Sequence, residues 1–159
     1  MGTVIRAAEP GDTGVLLGFV RELAEYEKAL PEVTAGEDDL AAALFCAHPR
    51  VHALVCERDG EAAGMAIYFY NFSTWLGRHG LFLEDLYVTP RFRGEGIGKA
   101  LLQALARRAV AEGCGRFEWN VLDWNEPAIR FYESFGAQAQ SEWVGYRLSG
   151  AALEAFARD

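Results

Sequence analysis

The stretch LFLEDLYVTPRFRGEGIGKALLQALARRAVAE, from Leu81 to Glu112, decides how the rest of the chain is read. Its first eight residues form an apolar run that carries two adjacent carboxylates, Glu84 and Asp85. A loop with three glycines follows, and beyond it apolar residues recur at helical spacing. This order predicts a strand, a glycine-rich turn and a long amphipathic helix.

A strand, turn and helix in this order suit the binding of an anion. The first amides of a helix have no partner inside it, and the helix dipole places partial positive charge there. Glycines let the backbone approach a ligand closely, and Arg91, Arg93 and Lys99 add full charges. The turn therefore predicts a site for a pyrophosphate or a similar group. The alternative is an ordinary glycine-rich loop that caps a core helix.

The residues of the loop separate three classes of ligand. A P-loop requires a glycine ahead of its Gly-Lys pair and a Ser or Thr after it, where this chain has Arg93 and Ala100. A dinucleotide-binding loop requires a glycine where Lys99 stands. The string RGEGIG, Arg93–Gly98, instead resembles the acyl-CoA pyrophosphate loop of the GNAT superfamily of N-acetyltransferases.

Composition and charge limit the possible functions. The chain has 159 residues, 51% apolar and 24% charged, which predicts one soluble domain over residues 1–159. Its net charge of −8 is uneven, because residues 1–89 carry 14 acidic and 6 basic side chains, whereas residues 90–159 carry 9 of each. The acidic half favours a cationic substrate and argues against nucleic acid, which needs a basic surface. The alternative is that the carboxylates only confer solubility.

The cysteines and histidines argue against a disulfide framework and against a zinc site, since they lack pairing and ligand spacing. We therefore expect no metal. The chain also lacks an apolar run long enough to span a bilayer and the pattern of a signal peptide, which predicts a cytoplasmic protein with no membrane partner. The cysteines and histidines that were considered as disulfide partners or zinc ligands are Cys46, Cys56, Cys114, His48, His52 and His79.

Periodicity and turn residues predict the remaining elements. The predicted strands are 3–7, 51–57, 62–72, 81–88 and 117–121, with a final hairpin over Gln138–Ser149. The first predicted helix ends near Lys28, and the second runs from a Thr34–Glu37 capping box to His48. The third follows the glycine turn, the fourth begins at Trp124, and the last covers Ala151–Ala157. A helix joins the strand before the glycine turn to the strand at 117–121, so these two should be parallel.

Further strings resemble GNAT enzymes and, more narrowly, their diamine acetyltransferase branch, which includes spermidine/spermine and thialysine-acetylating enzymes. The similarity extends from about Val4 to Arg147. It implies the GNAT acyl-CoA N-acyltransferase fold, an α/β (α+β) fold with a mixed, mostly antiparallel central sheet, flanking helices and a parallel strand pair at the cofactor cleft. The strings that resemble GNAT enzymes in general are Trp124–Pro127, Arg130–Glu133 and Phe135–Ala137. The strings that resemble the diamine acetyltransferase branch are Glu22–Lys28, Ser73–Trp75 and Leu83–Asp85.

The resemblance also implies roles for single residues. Acetyl-CoA would contact the backbone of Leu86, Tyr87 and Val88, the turn formed by Arg93, Gly94, Glu95, Gly96, Ile97, Gly98 and Lys99, and the residues Asn125, Pro127, Ala128 and Tyr132. The amine would contact Tyr26, Glu27, Trp75, Glu84 and Asp85. The branch forms homodimers, which implies a homodimer here.

The implied activity is transfer of acetyl from acetyl-CoA to a primary amine. This chain has Ser73 where the polyamine enzymes carry an acid, and Val144 and Tyr146 replace an acid and a tryptophan. Fewer carboxylates suit a long polycation poorly, which favours a lysine analogue or a short diamine. An acetyltransferase for protein or peptide amines and a non-catalytic acyl-CoA-binding module remain alternatives.

The chemistry requires loss of a proton, because an alkylamine has a pKa of about 10.4 and is protonated at neutral pH. Glu84, acting through a water, is the predicted acceptor, and Tyr132 is the predicted donor to the departing thiolate. Asp85 points away from Glu84 on a regular strand, so both reach one amine only if the strand is bulged. Simple packing is the alternative role for Tyr132, and a solvated charge is the alternative for Glu27.

Overall fold

A computed structural model describes residues 2–158, and within this range it has five strands and five α-helices. The chain divides into two compact units, Met1–Leu122 and Asp123–Asp159. A single domain over residues 1–159 stays a prediction. The strands are β1 Thr3–Ala7, β2 His52–Arg58, β3 Glu61–Ser73, β4 Arg78–Val88 and β5 Phe117–Trp119. The helices are α1 Thr13–Tyr26, α2 Glu37–Leu44, α3 Ile97–Ala111, α4 Glu126–Glu133 and α5 Gly150–Arg158.

The strands of the first unit form one sheet in the order β1-β2-β3-β4-β5. Neighbours from β1 to β4 are antiparallel, whereas β4 and β5 are parallel. Asp59 and Gly60 join β2 to β3 with φ angles of 52° and 81°, the left-handed pair that a tight hairpin requires. The mixed, mostly antiparallel sheet and its parallel pair are therefore confirmed.

Helices cover both faces of this sheet. Met65 and Ile67 of β3 belong to a core that includes Leu16 and Phe19 of α1. Gly64 faces the other way, because a Cβ built on it would lie 3.4 Å from Ile97 of α3. The alternation of strand side chains thus assigns one face to α1 and α2 and the opposite face to α3.

Several element boundaries differ from the prediction. β4 begins at Arg78, paired with Ser73, so the expected loop up to Gly80 shortens to residues 74–77. α2 begins two residues later than predicted, because the Asp39 carboxylate accepts the Gly36 amide at 2.8 Å. The reciprocal contact of a capping box is therefore shifted along the same polar segment.

The predicted final hairpin over Gln138–Ser149 is wrong. Within the described chain, residues 137–149 contain no strand. Alternating polar and apolar residues predicted paired strands, but Trp143, Val144 and Tyr146 are all exposed. Alternation assigns side chains to two faces and does not supply a strand to pair with. The terminal helix is confirmed as α5.

Candidate active site

β4 is irregular at the two carboxylates. Asp85 pairs with Ile67, but the next pair is Leu83 with Tyr68, so Glu84 is the extra residue of a β-bulge. Asp85 therefore shares the face of Ile67, towards α1, while Leu83 lies on the opposite face. Glu84 is exposed. The strand is therefore bulged, and a bulge is what the sequence analysis requires if both carboxylates are to reach one ligand.

β4 and β5 part at the same point. Their last pair is Leu83 with Trp119, whereas β4 continues to Val88. Beyond Leu83, this edge of β4 has no strand beside it among residues 2–158. Backbone groups on such an edge can pair with an extended ligand. Leu86, Tyr87 and Val88, the predicted contacts of the pantetheine, lie in this segment.

Three carboxylates that the sequence assigns to the amine side, Glu27, Glu84 and Asp85, lie near the bulge. Burial, together with the charges of Glu84 and Glu27, raises the pKa of Asp85 to about 6. Glu27 occupies the C-cap of α1, where burial also raises its pKa. Such a cluster attracts a cation and can hold a proton near neutral pH. Tyr26 is the last residue of α1 and is 45% exposed.

The glycine turn fits a phosphate-containing ligand. Gly94 and Gly96 have φ angles of 81° and 80°, and a Cβ on either would meet no atom within 4 Å. α3 begins at Ile97, and its backbone ladder starts with the Ala100 amide donating to the Gly96 carbonyl at 3.0 Å. The amides of residues 97–99 thus precede the ladder at the positive end of the helix dipole, with open space before them.

The charged side chains of the turn mostly hold the turn itself. Arg93 Nε donates to the Val88 carbonyl at 2.9 Å, and its guanidinium lies 5.4 Å from the centroid of the Tyr87 ring. Two surface ion pairs tie the turn to the β2–β3 hairpin, Arg91 to Glu61 at 2.8 Å and Glu95 to Arg58 at 3.2 Å. The backbone amides, with exposed Lys99, are therefore better placed to contact a ligand than Arg91.

Trp75 is not brought to the carboxylates of its own chain. It lies in the loop between β3 and β4 and is 80% exposed. A strand rises about 3.3 Å per residue, so Asp85 lies about 20 Å along β4 from Arg78, next to that loop. The predicted amine-side residues therefore separate into a cluster at the bulge and a tryptophan at the hairpin tip.

The predicted residues of the second unit form one local arrangement. Asn125 is the N-cap of α4, and its Oδ1 accepts the Ala128 amide at 3.5 Å. Pro127 lies in the first turn, where its missing N–H is tolerated. Tyr132 packs its ring against Phe131 and Phe135, at centroid distances of 5.6 and 6.4 Å.

Sequence reasoning missed Glu22 as a residue that positions the strand. The hydroxyls of Tyr87 and Thr89 both donate to Glu22 Oε1, at 2.9 and 3.3 Å. These bonds tie α1 to the end of β4. The available signal was that Glu22 lies three residues after Phe19, on the helix face that contacts the sheet.

Metal sites and membrane spans are not found in the described part of the chain. No group of three or more His, Cys, Asp or Glu side chains between residues 2 and 158 is arranged to hold a metal ion. No helix in that range combines the length and apolarity needed to cross a membrane.

Comparisons with known proteins show which family and which fold the chain is similar to. The profile described as Acetyltransferase (GNAT) family matches residues 14–137. A thialysine N-epsilon-acetyltransferase of Sus scrofa is 39% identical, covering 97% of this chain and 96% of that protein. A spermidine/spermine N(1)-acetyltransferase-like protein 1 of Homo sapiens is 32% identical over 91% of this chain and 22% of its own length. An integron cassette protein from the V. cholerae mobile metagenome superposes with a TM-score of 0.83 at 29% identity, covering 100% and 99% of the two chains.

Proposed function

The chain belongs to the acetyltransferase (GNAT) family and is an N-acetyltransferase, and from this premise we propose that it acetylates a primary amine of a small cationic substrate. The acetyl donor is acetyl-CoA, and the acceptor is a thialysine or lysine analogue, a diamine or a polyamine. One observation carries the proposal. The edge of β4 loses its partner strand at Glu84, between a half-buried carboxylate cluster and a turn with open amides.

The residues present fit acetyl-CoA on this edge. Acetyl-CoA supplies the thioester that is attacked. The amides of residues 97–99 bind its pyrophosphate at the start of α3, where no Cβ of Gly94 or Gly96 intrudes. The backbone of Leu86–Val88 pairs with the pantetheine amides as a missing strand would. The chain thereby orients the acyl group.

The amine side is built from carboxylates. Glu27, Glu84 and Asp85 attract an ammonium group and hold it beside the acyl carbon. Glu84, acting through a water, is the acceptor predicted from sequence, and Tyr132 is the predicted donor to the thiolate. Attack occurs directly between two bound substrates, so no covalent enzyme intermediate is required.

The number of carboxylates favours a short substrate. By the resemblance described above, Ser73, Val144 and Tyr146 of this chain stand where the polyamine enzymes carry acids or a tryptophan. A long polycation would therefore leave some of its charges uncompensated. We propose a lysine analogue such as thialysine, or a short diamine, ahead of spermidine or spermine.

A panel of amines tests this function. The purified chain is mixed with acetyl-CoA and with thialysine, lysine, ornithine, putrescine, spermidine or a basic peptide, and the release of free thiol is measured. We expect the highest kcat/KM with thialysine or a short diamine. Preference for the peptide would contradict the small-amine proposal. Binding of acetyl-CoA with no thiol release from any amine would contradict the whole proposal.

Replacing the phenol tests the role of Tyr132. Tyr132→Phe keeps the ring contacts with Phe131 and Phe135 and removes only the hydroxyl. We expect kcat to fall by about 100-fold, the lower end of general acid catalysis, with an unchanged Kd for acetyl-CoA by calorimetry. An unchanged kcat would assign Tyr132 to packing.

A homodimer would also explain the position of Trp75. This side chain lies about 20 Å along the hairpin from its own Asp85, yet the resemblance assigns both residues to one amine site. The hairpin tip exposes Phe72 and Trp75, and the segment before α5 exposes Trp143 and Tyr146, as expected of surfaces that are covered on assembly. We propose that Trp75 completes the amine site of a second copy.

Mixing two damaged variants tests this assembly. Trp75→Ala and Asp85→Asn are purified separately, mixed after mild dissociation, and assayed beside each variant alone, with the mass of each sample measured by light scattering. At amine concentrations well below KM we expect a dimer and a gain of about a quarter of wild-type activity, because about half of the dimers are mixed and each mixed dimer holds one intact site of two. Activity equal to the mean of the two variants would contradict shared sites.

A further inference from the structure

A cavity of about 340 Å³ lies beside α3, on the side of that helix that faces β1 and β2. Pockets that bind small molecules have volumes of about 300–1,000 Å³. Neighbouring strands are about 4.8 Å apart, so β1 lies three spacings, about 14 Å, from β4. The free edge of β4 is on the side away from β1. The cavity is therefore separate from the edge at which acetyl-CoA and the amine are proposed to bind.

The strand side of this cavity is apolar. Val55 belongs to the core beneath α1, so its neighbour Leu54 faces α3, and Leu54 is only 5% exposed. Ala7 pairs with Leu54, and Ile5, two residues earlier in β1, shares its face. These three side chains line the cavity. A ligand that fills it must therefore bring an apolar part.

The helix side of the cavity combines small residues with cationic ones. Its five residues recur at spacings of three and four and so form one stripe along α3. The two alanines leave space where longer side chains would fill it, and the two arginines follow one turn later. The five residues are Ala100, Gln103, Ala104, Arg107 and Arg108.

The charged side chains that line the cavity are all cationic. The chain carries 23 acidic and 15 basic side chains, yet the described lining contains three arginines and no Asp or Glu. Arg6 is held by Asp12 at 2.7 Å and by Glu57 at 2.9 Å. Arg108 lies 3.6 Å from the carboxylate of Glu112. Two of the three guanidinium groups are thus already engaged within the chain.

Arg107 is the arginine that is left to bind a ligand. It is exposed and forms no ion pair within residues 2–158. A guanidinium group presents its N–H donors in a planar fork that matches the two oxygens of a carboxylate. Gln103, one turn earlier on the same stripe, offers a side-chain amide beside it.

We propose that this cavity binds a small organic carboxylate, with its acid group at Arg107 and its apolar tail between α3 and the β1–β2 pair. A cationic ligand is disfavoured because the lining supplies positive charge and no carboxylate. An inorganic anion would leave the apolar strand side uncovered. The inference does not depend on the proposed function, because it concerns a different side of α3.

A series of small probes tests the chemistry of the cavity. Acetate, butanoate, hexanoate, hexylamine and inorganic phosphate are each titrated into the ¹⁵N-labelled wild-type chain, and the amide NMR shifts are followed. We expect saturable shifts at residues 100–107 with hexanoate, and a Kd that falls about four-fold for each CH₂ added between butanoate and hexanoate, the gain from burying one methylene. Absence of these shifts with hexanoate, or equal binding of hexylamine, would overturn the proposal.

A matched pair of arginine variants tests the contact with the acid group. Arg107→Gln and Arg21→Gln remove the same charge from an exposed helical position, but Arg21 lies on α1, on the opposite face of the sheet. We expect the Kd for hexanoate to rise about ten-fold in Arg107→Gln, since a hydrogen bond to a charged group is lost, and to stay unchanged in Arg21→Gln. Equal changes in the two variants would show a general effect of charge and would overturn the assignment.

A matched pair of alanine variants tests the place of the tail. Ala104→Leu fills the cavity, whereas Ala111→Leu adds the same side chain at the exposed end of α3. We expect hexanoate binding to be lost only in Ala104→Leu, with circular dichroism showing that both variants are folded. Unchanged binding in a folded Ala104→Leu would overturn the proposal, and if that variant does not fold, the arginine pair still decides.

Coenzyme A separates this cavity from the proposed cofactor site. We expect saturating coenzyme A to leave the Kd for hexanoate unchanged. Competition between the two would make the cavity part of the cofactor site and would overturn the inference. A chain that binds hexanoate in the cavity but acetylates no amine would contradict the proposed function and leave this inference standing.

Discussion

The two ends of β4 differ in how completely they are paired. From Leu81 to Leu83 the strand has β3 on one side and β5 on the other, whereas from Glu84 to Val88 only β3 remains. The paired end continues into a hairpin tip with exposed Phe72 and Trp75. The open end holds the carboxylates and leads into the glycine turn. Only the open end has unpaired backbone groups with which a ligand could pair in place of a strand, and the carboxylates and the glycine turn lie at this end.

The largest expected effect comes from valine in place of a glycine at each end of β4, because both changes should strain the backbone but only one should also weaken ligand binding. Gly96 at the open end and Gly77 at the hairpin tip have φ angles of 80° and 65°, and a Cβ on either meets nothing within 4 Å. Valine at either position should cost about 1–3 kcal/mol of stability, because a β-branched residue resists positive φ. Gly96→Val alone should also raise KM for acetyl-CoA about 100-fold, or about 2.7 kcal/mol, since its side chain fills the space before the amides. Initial rates at varied acetyl-CoA check this, and a similar KM change in Gly77→Val would contradict it.

A second pair of glycines compares packing at the two ends. A Cβ on Gly64, opposite Val88, would lie 2.6 Å from the carbonyl oxygen of Tyr87. That oxygen belongs to the backbone and cannot move alone, so Gly64→Ala should lower the free energy of unfolding by about 2 kcal/mol. The nearest atom to a Cβ on Gly80 is the Asn71 side-chain oxygen, which can rotate away. Urea denaturation should therefore show a smaller loss for Gly80→Ala, and equal losses would contradict the distinction.

Asp85→Asn should show that the ionised carboxylate at the open end of β4 lowers the free energy of unfolding. The native pKa of about 6 exceeds the unfolded value of 3.8, so the native state binds more protons between these values and its stability falls as pH rises through them. The asparagine removes that penalty. We expect the variant to exceed wild type by about 1–2 kcal/mol at pH 8, with the advantage absent at pH 4. Urea denaturation at both pH values checks this, and an advantage independent of pH would contradict it.

Sequence predicted the open end of β4 well because its signals are local. The glycines, the carboxylates and the helix that begins at Ile97 lie within one continuous stretch, and each element follows from neighbouring residues. The bulge at Glu84 could be stated only as a condition. A register shift depends on how β3 packs against β4, which no single strand encodes.

Sequence was less informative where long-range pairing decides the structure. The pattern at 138–149 alternates as a strand does, but the described chain pairs no strand with it. Trp75 was grouped with Asp85 by resemblance, and only the register of the hairpin shows that they lie far apart in one chain. Periodicity gives faces and motifs give chemistry, but neither gives the distance between two elements.

The smallest expected effect is on the stability of the paired end. Trp75 is 80% exposed and Phe72 is 57% exposed, so alanine at either position should change the free energy of unfolding by only about 0.5 kcal/mol. KM for acetyl-CoA should stay unchanged in both, because the glycine turn lies at the far end of β4.

If Trp75 contacts the amine across a dimer, Trp75→Ala alone should raise KM for the amine several-fold, and dilution below the dimer dissociation constant should remove the difference from wild type. A loss that persists in the monomer would place Trp75 in the site of its own chain, against the separation that the strand register gives.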